Sequence, residues 1–152
     1  METTIMKYLM ELYSYTKDIL KNENFLKEKN FPHHKHMTAY KHSINVAYMS
    51  LKLCKNKRVD RKKLARTALL HDYYLYNWHN KEETWHKPHG IKHGHIAMVN
   101  AQNDFDNFDE NAIERHMWPL TIKPPKTRIG WIVTLADKIV GICEFLKIKV
   151  CY

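Results

Sequence analysis

The sequence predicts one all-α domain, built as a bundle of about five to seven helices. Apolar side chains recur at spacings of three and four along most of the 152 residues. Turn residues are few, with 4 glycines and 5 prolines, and no segment alternates polar and apolar residues as a half-buried strand does. An apolar share of 44% and a charged share of 27% exclude collagen-like and disordered chains. We therefore expect residues 1–152 to fold as a single domain.

The first predicted helix covers residues 4–21, where apolar side chains gather on one packing face. A polar connection over residues 22–36 separates it from the core helices. Four core helices begin at a Ser, Thr, Asp or Asn type of residue that caps a helix N-terminus. Their N-caps and approximate last residues are Thr38 and Cys54, Asp60 and His71, Asp109 and His116, and Thr127 and Ile148. One further helix begins near His93 and ends before Asp104.

The last helix carries a carboxylate in apolar surroundings. This helix is apolar nearly all round, which predicts burial on every side. Asp137 shares its face with Val133, Val140 and Gly141. A buried carboxylate is costly unless a cation, a metal ion or hydrogen bonds satisfy it, or unless it is protonated. Asp137 therefore marks a candidate site.

The chain holds 11 histidines, and several lie on the apolar faces of their helices. The ligand-type side chains that point inward are His42, the doublet His71-Asp72, His93, His116 and Asp137. Imidazole nitrogens and carboxylate oxygens bind Mn, Fe, Co, Ni and Zn, and a carboxylate can bridge two such ions. One or two divalent transition-metal ions would satisfy all of these groups. His86, His89 and His95 compete with His93 for the same ligand role.

Three segments place these groups in a fixed order along the chain. They read His42-Ser43-Ile44-Asn45-Val46-Ala47, Ala68-Leu69-Leu70-His71-Asp72, and Ile132-Val133-Thr134-Leu135-Ala136-Asp137-Lys138. Together they resemble the HD-domain superfamily of metal-dependent phosphohydrolases over residues 36–145. The resemblance implies an HD-type helical bundle in which His42, His71, Asp72 and Asp137 hold one ion. With His93 and His116 it implies a second ion bridged by Asp72, and both stoichiometries stay open.

The resemblance also implies a reaction, the hydrolysis of a phosphate ester or anhydride by metal-bound hydroxide. Asp72 is then the catalytic carboxylate that bridges the ions and activates water. Arg66 and Lys138 stand near the motifs in sequence and are candidate contacts to the phosphate. The expected substrate is a small phosphorylated molecule such as a nucleotide. The identities of substrate and metal and the oligomeric state stay open.

Two other functions compete with hydrolysis. Some relatives of the superfamily bind two irons and activate oxygen with similar ligands. A basic module that binds nucleotides or nucleic acid is the non-enzymatic alternative, since residues 52–66 hold eight basic side chains and one acidic side chain. We favour a small phosphorylated substrate over nucleic acid. No apolar run approaches the length of a membrane span and no signal-peptide pattern is visible, which predicts a cytoplasmic protein without a membrane partner.

Overall fold

The computed structural model describes residues 2–34 and 36–151. Its elements in chain order are α1 (Glu2–Leu20), α2 (Glu23–Leu26), a 3-10 turn (Lys27–Asn30), β1 (Pro32–His34), β2 (Met37–Thr38), α3 (Ala39–Leu53), α4 (Arg61–Leu70), α5 (His89–Asp104), α6 (Glu110–Arg115) and α7 (Arg128–Phe145). The strands form one antiparallel pair. The predicted all-α class is therefore confirmed for the part of the chain that the structure describes. None of the described helices is long and apolar enough to cross a membrane.

The four predicted N-caps are confirmed by their hydrogen bonds. The side-chain oxygens of Thr38, Asp60, Asp109 and Thr127 each accept a hydrogen bond from the backbone N–H three residues later, at 2.9–3.3 Å. Each bond satisfies a donor that the first helical turn leaves without a partner. These caps fix where α3, α4, α6 and α7 begin.

Helices α3 and α4 form the centre of the bundle. Helix α7 packs on α3, α1 packs on both α3 and α4, and α5 and α6 pair with each other beside α4. Fully buried side chains from several helices, among them Leu51, Leu69 and Ile113, make up the core. The carboxyl end of α4 is thereby enclosed by α3, α5, α6 and α7. The His-Asp doublet follows this end directly.

Two connections differ from the prediction. The polar stretch before α3 contains α2, the 3-10 turn and the strand pair, whose strands of three and two residues are too short to show an alternating pattern. Helix α5 begins at His89, one turn earlier than predicted, and Pro88 stands at its N-cap. Proline is tolerated at the start of a helix because the backbone N–H that it lacks would have no partner inside the helix.

The prediction that α7 is buried on every side is wrong. Val133, Ala136 and Val140 are fully buried, but Leu135 and Phe145 are 54% and 83% exposed. The reason is position, since α7 lies at the edge of the bundle and packs against α3, α4 and α6. Helix α7 therefore presents an apolar face outside the core.

The basic stretch of residues 52–66 is divided between two environments. Arg61 forms an ion pair with Glu11 of α1, and Arg66 forms one with Asp18 of the same helix. Lys57 and Arg58 lie exposed at the turn between α3 and α4. Part of the positive charge therefore stabilises the packing of α1.

Candidate metal centre

The fold brings together the six side chains that the sequence predicts as metal ligands. His42 lies on α3, His71 and Asp72 follow α4, His93 lies on α5, His116 follows α6, and Asp137 lies on α7. The first five side chains are at most 5% exposed, and that of Asp137 is 12% exposed. Residues from five separate parts of the chain thus meet inside the bundle.

Asp72 lies between two groups of imidazoles. Its Oδ2 atom is 3.4 Å from His71 Nε2 and 3.7 Å from His42 Nε2. Its Oδ1 atom is 3.2 Å from His93 Nε2 and 3.4 Å from His116 Nε2. Asp137 Oδ1 completes the first group, at 3.1 Å from His42 Nε2 and 3.7 Å from His71 Nε2.

We call these two groups cluster A and cluster B. Cluster A consists of His42, His71, Asp137 and Asp72 Oδ2, and cluster B consists of His93, His116 and Asp72 Oδ1. The two oxygens of one carboxylate therefore belong to different clusters.

Hydrogen bonds to the main chain orient three of the four imidazoles. The Nδ1 atoms of His71, His93 and His116 donate to backbone carbonyl oxygens three or four residues earlier, at 2.7–2.8 Å. A carbonyl oxygen only accepts, so Nδ1 carries the proton in each ring. In a neutral ring Nε2 then keeps its lone pair, and this lone pair points into the clusters.

Several buried polar atoms in the clusters lack a partner that would satisfy them. Within residues 2–34 and 36–151, His71 Nε2 and Asp72 Oδ1 are buried without a hydrogen bond of good geometry. His93 Nε2 and His116 Nε2 lie 3.0 Å apart, although neither nitrogen is a donor in the neutral tautomer. A proton or a metal ion between them removes this conflict.

The spacing of the ligand atoms fits a metal ion. Ligands about 2.1 Å from a common ion lie about 3.0 Å apart in octahedral geometry and about 3.4 Å apart in tetrahedral geometry. Seven pairs of neighbouring cluster atoms lie 3.0–3.7 Å apart. Imidazole with carboxylate is also the donor set that divalent transition metals prefer. The residues present therefore fit one ion in each cluster.

The charges in the clusters stabilise ionised carboxylates. Burial alone would raise the pKa of Asp72, but His71, His116 and His93 hold this pKa well below its usual value. Burial is likewise outweighed at Asp137, where His42 and His71 keep the pKa low. Both carboxylates are therefore charged and ready to bind a cation at neutral pH.

His42, His93 and His116 differ in their affinity for a proton. Burial opposes the cation at His42, yet hydrogen bonds with Asp137 and Glu144 raise its pKa to about 10. Asp72 similarly outweighs burial and raises the pKa of His93. The pKa of His116 is lowered, mainly by burial. In the absence of metal, the proton between His93 and His116 therefore belongs to His93.

A family model described as HD domain matches residues 39–141, which include all six of these side chains. The chain belongs to the HD-domain family. The HD domain places the chain in the superfamily of metal-dependent phosphohydrolases, and HD domains typically bind divalent metals. Comparisons with curated proteins and with solved structures gave no match. The family predicted from the three sequence segments is thereby confirmed.

Two residues of this HD domain's metal centre, Glu144 and His33, were not identified from the sequence. Glu144 Oε2 accepts a hydrogen bond from His42 Nδ1 at 2.8 Å, and Glu144 Oε1 accepts one from Asn45 Nδ2 at 3.1 Å. His33 of β1 stacks on His42 with ring centroids 3.7 Å apart, and its Nδ1 atom lies 3.4 Å from Asp72 Oδ2. Glu144 stands two helical turns after Asp137, a spacing that could have identified it.

The structure also distinguishes among the histidines that compete with His93. His95 is exposed and pairs with Glu114 on the surface. His86 is buried but stacks on Tyr76, and His89 Nδ1 shares a hydrogen bond with the Tyr76 hydroxyl. Of the four, His93 is the one whose ring nitrogen meets Asp72.

Arg66 does not reach this site, so its predicted contact with phosphate is wrong. Its buried guanidinium donates to both carboxylate oxygens of Asp18, to Asp106 Oδ1 and to the carbonyl oxygens of Asp106 and Tyr15. The side chain joins α4 to α1 and to the loop before α6. Arg66 is thus a structural cation of the HD domain.

Lys138, the second candidate for phosphate binding, does lie at the centre. Its Nζ atom donates to Asp137 Oδ2 at 2.7 Å and to the carbonyl oxygen of His116 at 3.2 Å. Its side chain is 39% exposed and lines a cavity of about 520 Å³ that opens onto both clusters. A small molecule in this cavity therefore meets Lys138 and the clusters together.

Proposed function

We propose that this HD domain is a metal-dependent phosphohydrolase that holds one divalent transition-metal ion in each cluster. The observation that carries the proposal is the arrangement around Asp72. Its two oxygens face separate groups of imidazoles, and the Nε2 atom of each of the four rings is directed at them. The substrate is a phosphate ester or anhydride small enough for the cavity of about 520 Å³.

The ions supply Lewis acidity and, by lowering the pKa of water, a nucleophile at neutral pH. The residues of the chain provide positioning and charge. His42, His71 and Asp137 would hold one ion, His93 and His116 the other, and Asp72 both. Their hydrogen bonds fix these ligands before substrate arrives, so little reorganisation is needed.

Two side chains of the cavity wall complete the proposed site. Lys138 lies beside Asp137, where its ammonium can donate to a non-bridging phosphate oxygen. His33 lines the same cavity next to Asp72, where an imidazole can give a proton to the departing oxygen. Both roles require only a phosphate placed against the two clusters.

Metal content tests the proposal directly. We expect about two ions per chain in the parent protein, about one in His116→Ala and none in Asp72→Ala, because one carboxylate serves both clusters. His95→Ala is the matched control, since His95 is an exposed histidine of the same region. The measurement is elemental analysis of protein prepared without a histidine tag.

Phosphate release from a panel of esters and anhydrides is then measured with the metal that is found. The parent and His95→Ala should release phosphate equally, and Asp72→Ala should release none. Failure to bind Mn, Fe, Co, Ni or Zn after reconstitution would refute the metal centre. Oxygen consumption without phosphate release would refute hydrolysis in favour of di-iron chemistry.

A further inference from the structure

The lining of the cavity is of two chemical kinds. The polar kind consists of side chains of the clusters, His33, His89 and Lys138. The other kind is a set of mainly apolar residues, which we call the apolar wall: Trp78, Met117, Gly141, Ile142, Phe145 and Leu146. Ile142, Phe145 and Leu146 are 60%, 83% and 59% exposed. The exposed apolar face of α7 thus continues into the cavity.

The apolar wall offers almost nothing to a polar ligand. Trp78 carries its one hydrogen-bond donor on Nε1, and this atom already donates to the carbonyl oxygen of Pro32 at 3.0 Å. The other side chains of the wall are hydrocarbon or thioether. The neighbouring ring of His89 lies between the rings of Trp78 and His93, with centroids 4.8 and 4.5 Å away. A sugar or base placed here would lose hydrogen bonds to water and gain few in return.

Gly141 stands out within the wall. Neither backbone conformation nor packing requires glycine there, since no described glycine has a positive φ and a Cβ at Gly141 would meet nothing within 4 Å. At Gly94 and Gly130, by contrast, a Cβ would lie 2.9 and 2.8 Å from another atom. Glycine inside a helix weakens the helix. At Gly141 the missing side chain leaves open cavity space.

We infer that the substrate is a phosphate ester of an apolar alcohol, whose alkyl or aryl body lies on the apolar wall in the space left by Gly141. This inference rests on the proposed phosphohydrolase function. In the reaction, water gives up a proton and its oxygen bonds to phosphorus, while the bond between phosphorus and the ester oxygen breaks. The alkoxide takes up one proton and leaves as the alcohol, so that water and the ester become the alcohol and phosphate.

Binding of alkylphosphonates, which cannot be hydrolysed at the carbon–phosphorus bond, tests the inference without turnover. The series from methyl- to octylphosphonate is titrated into the chain of 152 residues, loaded with the metal that elemental analysis identifies. We expect the affinity to rise about two- to fourfold for each methylene group that reaches the wall. In parallel, kcat/KM for octyl phosphate should exceed that for glycerol phosphate and for nucleoside monophosphates.

Substitutions in the apolar wall test whether the gain in affinity with chain length arises there. Gly141→Leu should weaken octylphosphonate binding at least tenfold, leave methylphosphonate binding within twofold, and leave the metal content unchanged. Gly141→Ala should show the same change to a smaller extent. Phe145→Ser should reduce the increase in alkylphosphonate affinity that each methylene group brings. Leu135→Ser is its matched control, an exposed leucine of the same helix that does not line the cavity.

The outcomes separate this inference from the proposed function. An affinity that is independent of chain length, together with better turnover of nucleotides, would overturn the inference and leave the phosphohydrolase intact. Unchanged octylphosphonate binding in Gly141→Leu would also overturn it. If Gly141→Leu does not fold, the affinities of Gly141→Ala and Phe145→Ser for octylphosphonate, compared with that of the parent, decide instead. A metal-loaded protein that neither binds phosphonates nor hydrolyses any ester would overturn both.

Discussion

Replacing Arg66 tests whether this buried cation acts in folding or at the phosphate. Arg66 is only 3% exposed and makes five hydrogen bonds to α1 and to the loop before α6. Arg66→Met keeps the aliphatic part of the side chain and removes these bonds. We therefore expect lower stability together with an unchanged metal content and unchanged phosphate release.

The magnitude follows from the surroundings of each acceptor. Breaking a buried ion pair costs about 3–5 kcal/mol, but the side chains of Asp18 and Asp106 are 55% and 94% exposed and regain water. The carbonyl oxygens of Tyr15 and Asp106 lose a charged donor, at about 1 kcal/mol each. The expected loss in the free energy of unfolding is about 2–3 kcal/mol, or a fall in Tm of about 4–12 °C.

Arg58→Met is the matched control. Arg58 is an exposed arginine at the turn before the same helix, so a loss of about 0.5 kcal/mol or less is expected. Urea unfolding at neutral pH compares the two variants with the parent. Equal losses in both, or reduced phosphate release by a fully folded Arg66→Met, would refute the structural role.

The stability at acid pH provides a second test of the ion pair between Arg66 and Asp18. The hydrogen bond from Arg66 is the main reason that the pKa of Asp18 is lowered. A lowered pKa stabilises the folded state above the unfolded-state value near 3.8, and this contribution disappears as the pH falls through the folded-state pKa. The difference in stability between the parent and Arg66→Met should therefore narrow below about pH 4. A constant difference would contradict the assignment.

Three further predictions concern the clusters and a cap. Because the pKa of His42 is about 10, metal binding at pH 7 should release a proton from its ring. Glu144→Gln should lower this pKa, so that the pH above which no proton is released is lower than in the parent. Heats of metal binding that do not depend on the buffer would contradict the proton release. Gly94→Ala should bind about one metal ion in place of two. Its Cβ would lie 2.9 Å from Glu114 O and push α5 away from α6, which separates the two histidines of cluster B; retention of both ions would refute this. Thr127→Ala should lower the free energy of unfolding by about 1–2 kcal/mol, and Thr127→Ser should restore it in the same urea assay.

Local chemistry made much of the fold predictable from the sequence. A helix N-cap depends on residues three positions apart, so Thr38, Asp60, Asp109 and Thr127 could be recognised without tertiary information. The inward faces of His42 and Asp137 followed from helical periodicity. The convergence of all six predicted side chains in one place is a tertiary fact that only the order of the motifs and the family resemblance indicated.

The errors arose where the outcome depends on distant parts of the chain. Arg66 stands five residues before His71, which places it about 140° away around the helix axis, and its carboxylate partners lie on another helix and a loop. Glu144 meets His42 across 102 positions. The exposed face of α7 could not be predicted because apolar composition does not show on which side neighbours will pack.

The hydrogen bonds of the imidazoles bear on how the centre tolerates mutation. His71, His93 and His116 are held by carbonyl oxygens, and no side-chain substitution removes a carbonyl. Only His42 depends on a replaceable side chain for its Nδ1 bond, that of Glu144. Residues of the apolar wall can therefore vary widely while three ligands keep their orientation. A scaffold of this kind can acquire new substrates by mutation without first rebuilding its metal geometry.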